Sequence, residues 1–208
     1  MSYKKAKYVS EVKIFNEWDI SEVEVKDLGL KKYINLTPHI SCHTHGRHEH
    51  KRFRKSQVNI VERFINRLLS PGASRRKSGG RQTRCLSGKK YRTITLLKYV
   101  FKIINLRTNK NPIQILINAI QNCAPREETT RISYGGINYQ QSVDVAPQRR
   151  VDLSLKFLVE ACWRKSFNNL STIEEVIANE LIMAANNDSK SSAIKRKEEK
   201  ERIAASAR

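Results

Sequence analysis

The sequence predicts a mainly α-helical protein: a six-helix bundle with a protruding β-hairpin inserted between the third and fourth helices, preceded by an N-terminal extension. From residue 57 onward, apolar residues recur at i, i+3, i+4 and i+7, which places them on one face of a helix. That pattern stops at 124–150, where Arg131-Ile132-Ser133-Tyr134 and Ile137-Asn138-Tyr139-Gln140 flank Gly135-Gly136. Two glycines between short β-prone runs predict a hairpin. The 208 residues, 39% of them hydrophobic, suit one domain with extensions. The expected division is an N-terminal extension over 1–38, a His-rich and basic arm over 39–56, and a helical domain over 57–208. That domain holds a basic loop at 70–90 and the hairpin at 126–145.

Along the chain, residues 1–38 mix Trp18, Val23, Val25, Leu28 and Leu30 with acids, and 27–33 suggests a short turn or helix. This near-neutral segment is expected to dock on the main body or on a neighbour. The first core helix is expected over 57–69, with Val61, Phe64, Ile65 and Leu68 inward and Pro71-Gly72 as its stop. A helix over 91–106 has apolar residues nearly all round, which places it at the centre of the bundle. The next, 111–122, has Asn111 as N-cap and Pro112 at its first position, with Ile113, Leu116, Ile117 and Ile120 buried.

After the hairpin, Pro147 opens a helix to Ser166 with Val151, Leu155, Leu158, Val159 and Cys162 inward. Ser171-Thr172 followed by Glu174-Glu175 reads as two overlapping capping boxes for a helix that buries Ile173, Val176, Ile177, Leu181 and Ala184. The segment 189–208 is expected as a charge-rich helix anchored by Ile194 and Ile203. No internal repeat or coiled-coil heptad competes with this arrangement.

Charge narrows the function. Lys and Arg number 40 against 20 Asp and Glu, and residues 39–110 alone hold 19 basic and 2 acidic residues. Such a density opposes compaction unless a polyanion neutralises it, and nucleic-acid phosphate is the usual one. No run is apolar or long enough to span a membrane, and the polar start lacks a signal-peptide core, so an intracellular protein is expected. Cys42, Cys85, Cys123 and Cys162 have no CxxC spacing and are expected as free thiols.

The run 39–50, HISCHTHGRHEH, contains all 5 histidines and Cys42. Cys42, His43, His45, His48 and His50 are enough for tetrahedral zinc, yet a structural zinc site normally joins two ligand pairs across a longer loop. A solvated or RNA-facing loop is the competing reading. Ser87-Gly88-Lys89-Lys90 fails as a phosphate-binding loop, because Thr83 stands where the first glycine is needed and Lys90 where Ser or Thr would hold magnesium. The acid pairs Glu127-Glu128 and Glu174-Glu175 read as hairpin-root and helix-cap charges. No nucleophile, base and stabiliser converge, so no enzyme and no cofactor is expected.

Pro125-Arg126, the Gly-Gly hairpin, and Val143-Asp144-Val145-Ala146-Pro147-Gln148-Arg149-Arg150 resemble, in this order, the universal small-subunit ribosomal protein seven family, protein five in older eukaryotic naming. Lys51-Arg52-Phe53-Arg54-Lys55 with Ile60-Val61-Glu62-Arg63, and Ala193-Ile194-Lys195-Arg196-Lys197, resemble its eukaryotic branch. The resemblance covers 51–69 and 88–208; the family shows no histidine cluster at 39–50, and the 70–90 loop is longer than its pattern. It implies the same helical fold with a β-ribbon and a structural role in the small ribosomal subunit. The implied partners are the 3′ domain of small-subunit rRNA, exit-site tRNA and mRNA, and neighbouring subunit proteins, without membrane or small-molecule substrate. The implied location is the cytoplasm, with a nucleolar stage if the source is eukaryotic. The alternative is a free RNA- or DNA-binding regulator whose His-rich arm holds zinc.

Electrostatics assigns the contacts. Lys51, Arg52, Arg54 and Lys55 of the arm and Arg75, Arg76, Lys77, Lys89 and Lys90 of the loop are expected to neutralise phosphates. So are Arg126 and Arg131 of the hairpin, Arg149, Arg150, Arg164 and Lys165 at helix ends, and Lys195, Arg196 and Lys197. The tip, Tyr134-Gly135-Gly136-Ile137-Asn138-Tyr139, corresponds by resemblance to the part that reaches tRNA and mRNA. It lacks cations, so contact there is expected by shape and stacking. From its residues alone, the hairpin reads equally as an exposed ribbon with solvated charges.

Overall fold

A computed structural model describes residues 12–39, 41–70 and 88–208. Seven α-helices are found among them: α1 (Leu28–Lys31), α2 (Ile60–Leu68), α3 (Lys90–Thr108), α4 (Pro112–Asn122), α5 (Pro147–Ser166), α6 (Ile173–Ala185) and α7 (Ser192–Ser206). Strands β1 (Glu127–Tyr134) and β2 (Ile137–Asp144) form an antiparallel hairpin between α4 and α5. The six longer helices and the hairpin occur in the expected order, and α1 occupies the suggested turn in the extension.

Local chemistry fixes most boundaries. Asn59, Asn111, Thr172 and Ser191 each accept a backbone N–H with the side chain and so start α2, α4, α6 and α7. Of the two candidate capping boxes, only the N-cap half of one is seen: the Thr172 hydroxyl accepts the Glu175 N–H at 3.5 Å. The Asn59 cap shortens α2 relative to the expected 57–69, and the residues before it form a separate 3-10 turn at Arg54–Gln57. Gly135 and Gly136 have φ of +59° and +81°, and the turn they form matches the right-handed twist of its strands.

The core runs through α2, α3, α4, α5 and α6, with Phe64, Phe101, Leu97, Leu116 and Leu158 shielded from solvent. Helix α6 packs on α3, α4 and α5, and α7 packs on α5 and the root of the hairpin. Two expectations need correction. Helix α3 is not enclosed all round: Tyr91, Tyr99 and Leu106 are exposed, with Leu106 79% so. These side chains face solvent, which intrinsic hydropathy could not show. In α7, Ile203 faces solvent, and Ala193 and Ala204 join Ile194 as the buried anchors. Small residues there let α7 approach α5 closely.

The extension docks on the body, with Ile14, Phe15, Ile20, Val23, Leu30 and Ile34 in the same core. The Phe15 ring lies 6.0 Å from that of Phe101. Arg150 of α5 donates from Nη2 to Asp27, the N-cap of α1, at 3.0 Å. Arg150→Ala is expected to remove about 1–2 kcal/mol of stability and to speed proteolytic cleavage within 12–39 selectively; uniform protection there would assign the docking to the apolar contacts alone.

Candidate nucleic-acid interface

The basic arm meets the start of α5. Two 3-10 turns, Arg47–His50 and Arg54–Gln57, fold the arm back toward α2. Between them Phe53 adopts φ +61° and leaves its ring 71% exposed. Across from it, α5 begins at Pro147 without a capping side chain, which puts the positive end of the helix dipole at this side of the groove. A groove of about 700 Å³ separates the two, lined by Arg52, Phe53, Lys55 and Arg67 on one side and Ala146, Gln148, Arg149, Asp152, Leu153 and Lys156 on the other.

Five cations thus surround one carboxylate, and that carboxylate is already engaged. Asp152 receives Lys55 Nζ and, at 2.8 Å, Arg63 Nη2. Arg63 is itself buried and donates through Nη1 to the Tyr33 carbonyl at 2.9 Å, tying the extension to the groove floor. The field in the groove is therefore positive, the arrangement that attracts a phosphate backbone.

The expected contact residues divide by partner. Lys51, Arg52, Arg54, Lys89, Arg126, Arg131, Arg164 and Lys195 are exposed, and none of them has a carboxylate partner among the described residues. Arg149 instead holds Glu128 through two hydrogen bonds, with Nη2 at 3.0 Å. Arg150 holds Asp27, Lys90 holds Glu62 at 2.6 Å, Lys165 holds Glu180 at 2.6 Å, and Arg196 holds Glu160. Lys197 is partly exposed on α7. Arg75, Arg76 and Lys77 lie outside the described residues. A cation already paired within the fold releases fewer counterions when RNA binds, so these residues differ in kind.

Three groove residues escaped the sequence reading. Arg67, Gln148 and Lys156 line the groove but were not among the expected contact residues. The signal for Lys156 is its spacing: Arg149, Asp152 and Lys156 recur on one face of α5. Nothing local marks Arg67, which reaches the groove only because α2 packs beside α5.

The histidine run does not gather around its cysteine. Cys42 is buried in the core, and burial pushes its thiol up to about 11, with Glu62 adding to the effect. His43 and His45 stack on each other at 4.0 Å, and His48 pairs with Glu49 at 2.9 Å. Among the described residues no three His, Cys, Asp or Glu side chains form a group that could hold a metal ion. Cys123 and Cys162 are buried on helix faces, and burial raises the Cys123 thiol to about 12 and that of Cys162 further.

Glu62 sits at the base of the arm, buried on α2. Burial alone would raise its carboxyl; the Lys90 ammonium and the Thr44 N–H (2.8 Å) and hydroxyl (3.0 Å) outweigh that and hold it below the ordinary value. A carboxyl depressed on folding contributes stability that is complete above its unfolded value and is lost as pH falls through the folded one. The wild type is therefore expected to lose denaturation midpoint across the acid range, and Glu62→Gln to be less stable at neutral pH with a flatter acid profile. Parallel profiles for the two proteins would show that Glu62 is not the titrating group.

The hairpin's tip stands clear of the bundle. Its register pairs Ile132 with Tyr139 and Tyr134 with Ile137, which puts these four exposed side chains on one face. Arg131, Ser133, Asn138 and Gln140 occupy the other face. At the root, Glu128 takes Lys200 as well as Arg149, Glu127 takes Arg208, and the Arg126 N–H donates to Glu201 at 2.9 Å. The root is thus clamped by α5, α7 and the C-terminal Arg208, and the tip presents exposed rings and amides.

Comparison with known proteins gives concordant results. A family model described as ribosomal protein S7p/S5e matches residues 30–208. Small ribosomal subunit protein uS7 of Methanothermobacter thermautotrophicus is 49% identical over 194 residues, covering 93% of this chain and 98% of that protein. Small ribosomal subunit protein uS7 of Methanosphaera stadtmanae is 45% identical over 195 residues, covering 94% and 98%. Both relatives are archaeal, whereas the sequence blocks were read as eukaryotic in type; the family description joins the two namings.

Proposed function

Because this chain belongs to the ribosomal protein S7p/S5e family and is a structural, non-enzymatic constituent of the cytoplasmic small ribosomal subunit, we propose that its arm and groove bind the 3′ domain of the subunit rRNA and organise the head. The observation that carries this is the groove itself, where five cations from three separate segments converge around one neutralised carboxylate. Arg52, Arg67 and Lys156 contact phosphate there, and Lys51, Arg54 and Lys89 extend the contact along the arm and the start of α3. Arg149 and Arg150 act mainly as fold residues that hold the hairpin root and the extension in place. The hairpin tip, with Tyr134 and Tyr139 on its apolar face, lines the exit-site tRNA and mRNA path and makes contact by stacking. Neighbouring subunit proteins and rRNA are its partners. The zinc-holding regulator has no support in the geometry, since Cys42 lies in the core apart from the stacked histidines.

Sedimentation of a tagged copy through a sucrose gradient tests the reading. The protein is expected to migrate with small subunits and whole ribosomes and to stay there after a high-salt wash. Release at modest salt would make it a peripheral RNA binder instead.

A further inference from the structure

We infer that the groove holds one unstacked base of the bound RNA, with Phe53 as its stacking face and the Gln148 amide as the group that pairs with the base edge. This rests on reading the groove as an rRNA surface and adds a specific subsite to it. Gln148 is 7% exposed, and both its Nε2 and its Oε1 are buried without a hydrogen-bond partner. Among the described residues it is the only side chain with an unpartnered buried donor and an unpartnered buried acceptor together. Folded proteins rarely leave a whole amide unsatisfied unless something else completes it. Gln148 lines the groove, and rotation about its unbranched stem would bring the amide to a bound base.

Phe53 supplies the second observation. A bulky side chain at φ +61° is strained, and such strain concentrates where a ligand uses it. The conformation lifts the ring out of the fold and onto the groove wall, 71% exposed. Leu153 and Ala146 make the opposite wall apolar, and the cations Arg52, Arg67 and Lys156 stand around it. Arg67 also has a buried Nε without a partner.

An isolated phosphate would use the cations and leave the ring and the amide idle. A neutral peptide segment would leave the cations unmatched. A nucleotide uses all three, with its base against the ring and the apolar wall and its phosphate on the cations, and about 700 Å³ accommodates it. A glutamine amide presents a donor and an acceptor side by side, which matches the N6 and N7 of adenine better than the two acceptors of guanine. The subsite therefore takes a splayed-out adenine.

The test uses the full chain, an rRNA 3′-domain transcript and two variants, Gln148→Leu and Phe53→Gly. Both are expected to melt at or above the wild-type temperature, since one removes an unsatisfied amide and the other relieves the left-handed strain. Both should bind the transcript roughly tenfold more weakly, with the dependence of affinity on salt unchanged because no charge is lost. Replacing one adenine of the transcript by an abasic site should weaken the wild type equally and leave the variants unaffected. Folded variants that bind the transcript as tightly as the wild type would overturn the base subsite while leaving the electrostatic groove standing. Failure of the wild type itself to bind the transcript would instead overturn the rRNA reading of the groove, and this subsite with it.

Discussion

Glu180→Ala is expected to remove on the order of 3 kcal/mol of folding stability. Glu180 lies fully buried on α6, and its carboxylate joins three helices. Lys165 Nζ at the end of α5 donates to Oε2 at 2.6 Å, while Ser191 Oγ (2.7 Å) and the Ala193 N–H (3.1 Å) donate to Oε1 from the start of α7. Removal leaves the α7 donors buried and unanswered, and the ammonium of Lys165 must turn to solvent. Glu180→Gln keeps one acceptor and should fall between the two. Denaturant unfolding of the free protein checks this: the midpoint should drop with little change in slope. A loss below about 1 kcal/mol would mean that water replaces the carboxylate without strain. Because Lys200 of α7 and Arg208 just beyond it clamp the hairpin root, early release of the hairpin to proteolysis should accompany the loss.

The second large effect concerns RNA. Arg52→Ala combined with Lys156→Ala is expected to lower rRNA affinity by about two orders of magnitude at low salt and to reduce the slope of log affinity against log salt by about 1.4–1.8. Arg52 has no carboxylate partner among the described residues, and Lys156 only approaches Glu160 at 3.8 Å, so both charges remain available to phosphate. Arg149→Ala with Arg150→Ala should change the slope less, because Glu128 and Asp27 already neutralise these residues, and should show its effect in stability. The reverse ranking of the two double variants would mean that RNA displaces the internal carboxylates and takes the paired arginines for itself.

Much of the fold was legible because its signals are local. Asn111 before Pro112, Thr172 three residues before Glu175, and Gly135-Gly136 between two β-prone runs each act within a few residues, where backbone hydrogen bonding and φ preference decide the outcome. Helical spacing likewise identified the inward residues of α4 and α5, since a period of 3.6 needs no knowledge of the partner. The same reasoning misplaced the surroundings of α3, because apolar residues all round a helix do not reveal whether a neighbour covers every side.

The candidate interface was legible as composition and not as geometry. The sequence by itself determined that the middle of the chain carries the positive charge, that a ribbon interrupts the helices, and that the arm sets a phenylalanine among four cations. Only the tertiary structure decided which cations remain free. Arg150 meets Asp27 across 123 positions of sequence and Lys55 meets Asp152 across 97, and these contacts follow from how α1, α2 and α5 pack. It also carried Cys42 into the core, drew Arg67 and Lys156 to one groove, and left the Gln148 amide without a partner. Charge and periodicity are properties of neighbouring residues in the chain, whereas pairing and desolvation depend on which distant segments the packed core brings within hydrogen-bond reach.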